Sequence, residues 1–228
     1  MKKLLYIFIF IISYSTSLSY VYESVDMEKI KSAISDEKSD FFYPALFERY
    51  SNNDTTLNLD EYRHLYYGHA LQQYYNPIIS RNDDSARTLR STLNSPNPDF
   101  KRVSELALFV LRLDPFSIDA LYILGVAYDV LGDEINMNIY IDKFTKIVQT
   151  IIGSGDGKTP ESSYTVLSIS DEYAFLNALG LKYKSQALIQ SNGKSYDHIT
   201  LEKDEELGIE SLYFNIELFF GKGLNPKR

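Results

Sequence analysis

The sequence has no cysteine and only three histidines among its 228 residues. The absence of cysteine excludes disulfide bonds and a lipid-modified amino-terminal cysteine, and it leaves few ligands for a metal ion. His64 and His69 lie five residues apart on one predicted helix. They point about 140° away from each other, at 100° per residue, so they do not form a chelating pair. We therefore expect neither a metal site nor a cofactor.

Basic clusters and the motifs of common hydrolases and nucleotide-binding proteins are also absent. The formal charge is −8, and no Lys or Arg cluster offsets the repulsion of a phosphate backbone, which argues against nucleic-acid binding. No serine lies in a G-x-S-x-G elbow. The glycine-rich segment 153–161 has Ile152 where a phosphate loop requires its first glycine. We expect these glycines to end one helix and Thr159-Pro160 to begin another.

The amino terminus has the pattern of a secretory leader. Lys2 and Lys3 precede nine apolar or aromatic residues from Leu4 to Ile12, and small polar residues follow through Ser19. The apolar run is shorter than the roughly 20 residues that span a bilayer, which predicts a cleaved signal peptide over 1–19 rather than an anchor. Residues 20–228 are then one domain, exported to a periplasm or the exterior, with no integral membrane segment.

The stretch from Val103 to Val148 predicts two helices with a short turn, followed by a third helix. Apolar residues recur in its first part at the 3, 4, 7 and 8 spacing of a buried stripe. Leu113-Asp114-Pro115 ends the first helix, because proline disfavours the α conformation in the residue before it. Ser117 is placed to cap the second helix. The stripe consists of Val103, Leu106, Ala107, Val110 and Leu111.

The second helix of this stretch resembles a tetratricopeptide unit, whose core pattern is W-x2-L-G-x2-Y. Gly125 at the glycine position indicates that a neighbouring helix approaches closely there. A solenoid needs about three repeats to bury its faces, so we expect tetratricopeptide-like helical hairpins inside a mixed domain. The positions that match the pattern are Leu121, Leu124, Gly125 and Tyr128.

Several segments together resemble a family known as domain of unknown function 4919, found mainly in secreted proteins of Bacteroidota. The most specific are FFYPALFERY at 41–50 and EYRHLYYG at 61–68. The likeness covers nearly all of the chain after the leader, and it implies membership without implying an activity or site residues. The other segments that carry it are Asp54, Thr56-Leu57, SGDGKTPESS at 154–163, Asp171-Glu172-Tyr173 and Tyr213-Phe214-Asn215.

The period of the apolar residues changes near residue 180, which predicts an α+β fold with helices over 26–180 and antiparallel strands over 182–220. Asn192-Gly193 predicts a hairpin. A two-residue turn would set Ile199 opposite the polar Gln186, so we expect a bulged, three-residue turn with Ile199 opposite Ala187. The last strand is expected to bury alternate residues as far as Phe220: Leu212, Phe214, Ile216, Leu218 and Phe220.

These features favour an exported, non-enzymatic binding or accessory protein. Paired helices commonly present a surface to a peptide or protein, and tyrosines supply anchors for such contacts. The candidate contact residues are Arg63, Tyr66, Tyr67 and Tyr128, although each tyrosine is equally a candidate for the core. The partner is expected to be another envelope or secreted protein.

Two other interpretations remain open from the sequence. One is a secreted hydrolase that uses carboxylate and histidine chemistry in a cleft between the helices and the sheet, with His64, Asp156 and Asp171 as its residues. The other is a subunit of an envelope assembly. A large exposed apolar patch would support that interpretation.

Overall fold

The computed structural model describes residues 22–77, 84–202 and 208–220. The predicted signal peptide at 1–19 lies outside these ranges. The chain divides into a helical unit, residues 26–150, and a second unit that includes residues 151–228. The class is α+β, as predicted, with eight helices and a four-stranded sheet among the described residues.

The helical unit begins with three short helices and continues with four more. Asp26 caps the first by accepting hydrogen bonds from the backbone N–H groups of Glu28 and Lys29, both at 3.1 Å. Asn58 and Glu61 form a capping box at the third helix, which satisfies two backbone donors at once. The helices are α1 Met27–Ser35, α2 Tyr43–Ser51, α3 Leu59–His69, α4 Asp84–Leu93, α5 Phe100–Leu113, α6 Ile118–Leu131 and α7 Glu134–Ile152.

The turn predicted between α5 and α6 is confirmed. Helix α5 ends at Leu113, and the Ser117 hydroxyl accepts a hydrogen bond from the backbone N–H of Ala120. The close approach predicted at Gly125 is confirmed as well, because a Cβ atom added there would lie 2.5 Å from Cδ1 of Ile141 on α7. The residues packed between α4, α5 and α6 are Ala86, Leu89, Val103, Leu106, Ala107, Val110, Ala120, Ile123, Leu124 and Ala127.

Aromatic rings fill the core between α2, α3 and the α5–α6 turn. Phe116 is 1 % exposed and lies in the middle of this group, with its ring centroid 4.9 Å from that of Tyr50 and 5.1 Å from that of His69. The edge-to-face arrangement of several pairs is the one that aromatic quadrupoles favour. His69 is buried, as expected for a core histidine.

The second unit contains β1 Tyr164–Thr165, α8 Ile169–Ala178, β2 Tyr183–Ser191, β3 Lys194–Leu201 and β4 Ser211–Asn215. The strand order is β1-β4-β3-β2. The sheet is mixed rather than purely antiparallel, because β1 pairs in parallel with β4. The prediction that a helix begins at Thr159-Pro160 is wrong. A turn forms there instead, in which the side chains of Thr159 and Ser162 hydrogen-bond to each other and to backbone groups.

The register predicted for the hairpin is wrong. Ile199 pairs with Gln186, and the irregularity lies near Tyr183 instead of at the turn. Asn192 and Gly193 both have positive φ, 51° and 76°, which is the two-residue turn that Asn-Gly favours. Because β2 is exposed along most of its length, a polar residue opposite Ile199 carries little desolvation cost, and the turn decides the register.

The last strand is shorter than its alternating pattern predicts. It ends at Asn215, and residues 217–220 form a turn. The change of direction buries Phe219 and leaves Phe220 exposed. The prediction that Leu218 and Phe220 are buried is therefore wrong. In the part of the chain that the structure describes, no helix is both long and apolar enough to cross a membrane.

Candidate binding site

The tyrosines proposed from sequence as contact residues lie in or near the core. Tyr66 and Tyr67 are fully buried, with ring centroids 5.2 Å apart. The guanidinium of Arg63 lies 5.5 Å from the centre of the Tyr67 ring. Tyr128 is half-buried and stacks on Tyr140 at 5.7 Å. Tyr66 and Tyr67 therefore have no exposed surface with which to contact a partner.

The residues of the rival hydrolase interpretation each have a local structural role. His64 belongs to the helical unit, where its ring stacks on Phe41 at 3.8 Å. Asp156 and Asp171 belong to the second unit. The carboxylate of Asp156 accepts a hydrogen bond from the backbone N–H of Lys158, and that of Asp171 accepts one from Leu167. These interactions are those of turns and a helix start.

A cavity of about 290 Å³ in the helical unit was not anticipated from the sequence. Its wall is formed by α2, the segment after α2, α5 and its following turn, α6 and α7. Most of the wall is aliphatic or aromatic, and its two charged side chains are both cationic. The lining residues are Phe47, Tyr50, Ser51, Asn53, Leu108, Leu111, Arg112, Pro115, Leu121, Tyr140 and Lys143.

Lys143 is the buried cation of this cavity, at 6 % exposure. Its ammonium group donates hydrogen bonds to the backbone carbonyl of Tyr50 at 2.8 Å and to Oδ1 of Asn53 at 2.6 Å. It also lies 4.2 Å from the centre of the Tyr50 ring, where the negative face of the π system stabilises a cation. Burial lowers the pKa of Lys143 to about 8, so the group is still mainly charged at neutral pH.

The loop that carries Asn53 is fixed by ionic contacts on its other side. Arg49 makes ion pairs with Asp54 and Glu61, and the carbonyl of Thr55 accepts a hydrogen bond from Lys146 at 3.0 Å. Hydrogen bonds from Thr56 and then from Arg49 lower the pKa of Asp54 to about 2. The loop therefore holds Asn53 in one position against Lys143.

Arg112 supplies the exposed cation of the cavity. Its guanidinium lies 5.2 Å from the centre of the Phe109 ring on the same helix. The same arginine also lines a second depression of about 420 Å³ between α4 and α5, together with Phe109, Leu106 and Arg102. Two depressions of the helical unit therefore meet at one arginine.

A second polar cluster lies in the other unit, between α8 and the sheet. Glu172 is fully buried and Asp197 is 6 % exposed. The amide nitrogen of Gln186 donates to Oε2 of Glu172 at 3.2 Å and to Oδ2 of Asp197 at 2.6 Å, and Tyr173 donates to Oε1 of Gln186. Burial raises the pKa of Asp197, although hydrogen bonds with Glu172 and Gln186 oppose the change. A raised pKa favours the neutral form of Asp197, which reduces the repulsion between the two buried carboxyl groups.

The acidic side chains of the described residues do not form a metal site. Among the described residues, no group of three or more histidine, aspartate or glutamate side chains is placed to hold a metal ion. The glycine-rich segment is closed on itself, because the backbone N–H groups of Asp156 and Gly157 both donate to the carbonyl of Ser162, at 2.9 and 2.8 Å. Those donors are therefore occupied within the loop.

A profile of the family described as "Domain of unknown function (DUF4919)" matches residues 28–222. The chain belongs to this family. No curated protein and no solved structure matches it. The profile covers the cavity of the helical unit as well as the acidic cluster, so both are parts of the DUF4919 domain.

Segments by which the sequence resembles the DUF4919 family contribute to both places. The segment at 41–50 supplies Phe47 and Tyr50 to the cavity wall. The segment at 171–173 supplies Glu172 and Tyr173 to the acidic cluster. In the fold, both segments therefore have a physical role.

The sequence did contain a signal for each site. Lys143 is three residues after Tyr140 and four before the buried Ile147, which is the spacing of one helical stripe. Asp197 occupies the same face of β3 as Ile199 and Leu201, the face that is buried. A charged residue in an apolar position of a periodic pattern is the feature that would have indicated each site.

Proposed function

We propose that this DUF4919 protein is an exported, non-enzymatic binding protein whose helical unit holds the carboxyl end of an apolar peptide segment. The observation that carries the proposal is the pair of cations, Lys143 and Arg112, in a cavity whose wall is otherwise uncharged and mostly aliphatic or aromatic. The partner is a secreted or envelope protein that presents such a segment.

The charge of the wall favours an anionic group on the ligand. No acidic side chain is among the described residues that line the cavity. Two of the three ammonium hydrogens of Lys143 are bound by Tyr50 and Asn53, which leaves one for a further acceptor. Arg112 adds a planar guanidinium, which binds carboxylates in a bidentate manner. A carboxylate therefore completes the interactions that the wall offers.

The size of the cavity favours the end of a chain over a whole small molecule. Ligand pockets have volumes of about 300–1,000 Å³, and this cavity, at about 290 Å³, is at the lower end of that range. It has room for one or two side chains and a terminal carboxylate. The neighbouring depression on the far side of Arg112 provides surface for residues that precede the terminus.

The chemistry of the wall favours binding over catalysis. Lys143 has a pKa of about 8 and is mainly protonated at neutral pH, so it is a weak nucleophile. A carboxylate hydrolase is the second candidate, favoured by the hydrogen-bonded carboxyl groups of Glu172 and Asp197. Those groups are buried beneath Gln186, and a substrate would reach them only if that side chain moved. The binding interpretation requires no such movement.

The binding proposal is tested with residues 20–228 and short peptides that end in leucine or phenylalanine, each made as the free acid and as the amide. We expect calorimetry to detect binding of the acids and at least ~10-fold weaker binding of the amides, because the amide lacks the charge-assisted hydrogen bonds. Arg112→Met is expected to weaken binding of the acid to a similar degree. Lys31→Met, which removes an exposed cation on α1, serves as the matched control.

Equal affinity for acid and amide, or an Arg112→Met variant that binds as the parent does, would exclude the carboxylate site. Export is tested separately by mass spectrometry of the protein isolated from its own cells. We expect a mature amino terminus near residue 20, and a full-length cytosolic protein would contradict this part of the proposal.

A further inference from the structure

Strand β2 lies at the edge of the sheet, and its outer side pairs with no strand among the described residues. It is nine residues long, and all of its residues except Ile189 and Ser191 are exposed. Alternate residues of an edge strand direct their backbone N–H and C=O groups outward, which makes the edge a template for another strand. Natural proteins usually shorten, bend or charge such edges. This edge carries a single charged residue, Lys184, and its irregularity is confined to its first residues, between Tyr183 and Ser185.

Two large apolar or aromatic side chains on this strand are exposed, and a partner strand would remove part of their surface from water. Leu188 is 54 % exposed and Tyr183 is 55 % exposed. The strand has no proline and no acid. These features distinguish β2 from β1, the other edge of the sheet, which is only two residues long.

We propose that β2 pairs with the β2 strand of a second copy of this chain, antiparallel and centred on Ala187. This pairing joins the two sheets into one and places the two copies around a twofold axis. The proposal concerns the second unit and does not depend on the function proposed for the helical unit.

In this antiparallel orientation, the side chains of the two β2 strands are compatible with each other. Pairing centred on Ala187 sets Lys184 opposite Gln190 of the second copy, and Gln186 opposite Leu188. The two Leu188 side chains become diagonal neighbours on one face, within reach of each other. A parallel pairing in register would instead place Lys184 beside Lys184, and like charges in that position are destabilising.

The charges at the ends of the strand complement each other in the same orientation. Glu161 is exposed and is held at the hairpin turn, where it accepts a hydrogen bond from Nδ2 of Asn192 at 3.1 Å. The antiparallel pairing brings Lys182 of the second copy opposite Asn192, and Lys184 lies two residues farther along. Glu161 of each copy therefore faces two lysines of the other. This complementarity favours a second copy over an unrelated strand.

The size of the contact predicts a weak dimer. One pair of edge strands with two small charge clusters buries less than the ~1,200–2,000 Å² of a stable interface. We expect a concentration-dependent dimer with a dissociation constant in the micromolar range or above, on the order of 10 μM. Sedimentation velocity of residues 20–228 at near-physiological salt measures it directly.

Charge reversal gives the decisive test. Glu161→Lys is expected to weaken the dimer at least ~10-fold, because it places like charges at both ends of the strand. The triple variant with Glu161→Lys, Lys182→Glu and Lys184→Glu is expected to dimerise again. Leu188→Lys provides an independent disruption near the twofold axis, and circular dichroism checks that each variant is folded.

A chain that stays monomeric at concentrations on the order of 1 mM would overturn the proposal. So would a dimer that withstands both Glu161→Lys and Leu188→Lys, or one that charge reversal fails to restore. A complex in which the β2 edge is covered by a different protein, with no dimer of the free chain, would also overturn it.

Discussion

The two units neutralise their buried charged residues in different ways. In the helical unit, the buried Glu61 faces Arg49, and the buried Lys143 faces a backbone carbonyl, an amide oxygen and an aromatic ring. In the second unit, the buried charged residues among those described are all acids: Asp171, Glu172 and Asp197. Glu61 and Lys143 are thus compensated by an opposite charge or by dipoles, whereas burial raises the pKa of Asp197 and so favours its protonated form.

One carboxyl group in each unit illustrates this difference in its response to pH. Hydrogen bonds from Thr56 and Arg49 lower the pKa of Asp54 to about 2 in the helical unit, so that carboxylate stabilises the fold when it is ionised. Burial raises the pKa of Asp197 in the second unit, so that carboxyl group favours the fold when it is protonated. A single pH scan therefore changes the contributions of Asp54 and Asp197 to stability in opposite directions.

The largest effect is expected from removing the central ring of each unit. Phe116→Ala and Phe214→Ala should each lower the free energy of unfolding by about 3–5 kcal/mol, because both rings are buried among other rings and leave a cavity. Urea unfolding measures the loss. Ile135→Ala, at a side chain that is 76 % exposed, is the control and should change stability by less than about 0.5 kcal/mol.

A loss below about 1 kcal/mol for either ring would mean that the surrounding side chains close the cavity. Such a result would contradict the packing described for that unit. The two variants also test whether the apolar cores of the two units contribute similarly to stability. If they do, the contrast between the units rests on their charged residues alone.

Sequence reasoning succeeded where one local rule decided the structure. The turn at Asp114-Pro115 and the close approach at Gly125 each follow from the stereochemistry of one or two residues, and both are as predicted. The hairpin register failed because two rules conflicted. The apolar pattern favoured Ala187 opposite Ile199, whereas the Asn-Gly turn required Gln186 there, and the exposure of β2 removed the penalty that would have supported the pattern.

The candidate sites could not be derived from spacing, because each depends on residues far apart in the chain. Lys143 meets the carbonyl of Tyr50 across 93 positions of sequence. Gln186 reaches Asp197 only in the register that the hairpin adopts, and that register was mispredicted. The tyrosines were more visible in the sequence than the lysine, yet burial in the core accounts for Tyr66 and Tyr67.

Removing Arg49 tests the ionic compensation of the helical unit. Arg49→Met leaves the carboxylate of Glu61, with only 12 % of its side chain exposed, without its cation. We expect a loss of about 1–3 kcal/mol of unfolding free energy, the cost of a buried polar group that loses its partner. Adding Glu61→Gln to this variant should recover part of the loss, since the neutral amide is easier to bury.

Unfolding in urea at neutral pH measures both Arg49 variants. If Arg49→Met alone has no effect, or if Glu61→Gln deepens the loss, the ion pair is not what compensates Glu61. The helical unit would then resemble the second unit, and the contrast between them would fail.

Asp197→Asn tests compensation by a proton in the second unit. The folded-state pKa of Asp197 lies above its ordinary value of 3.8. Its favourable contribution is therefore complete below about pH 3.8 and is lost as pH rises through the folded-state pKa. Asparagine cannot ionise and avoids the cost of burying a charge, so the variant should be more stable than the parent at neutral pH by about 1 kcal/mol.

The parent and Asp197→Asn should converge in stability as the pH is lowered towards about 4. Hydrogen exchange of peptides from β2 and β3, corrected for the intrinsic rate at each pH, localises the effect to this unit. Glu172→Gln is the companion variant and should reduce the dependence of stability on pH, because it removes the carboxyl group that hydrogen-bonds with Asp197. A difference between parent and variant that does not change with pH in this window would contradict the raised pKa of Asp197.

The smallest effect is expected from Asp54→Asn in the helical unit, at a carboxylate near the surface. Because the folded-state pKa of Asp54 is about 2, below its ordinary value, its contribution is present above about pH 3.8 and is lost as pH falls through 2. The variant should therefore melt at a lower temperature than the parent at neutral pH, and the two should converge in strong acid. This convergence occurs at a lower pH than that of Asp197→Asn, and the sign of the difference between variant and parent is reversed. If both variants shifted the melting temperature in the same direction, the contrast between Asp54 and Asp197 would fail.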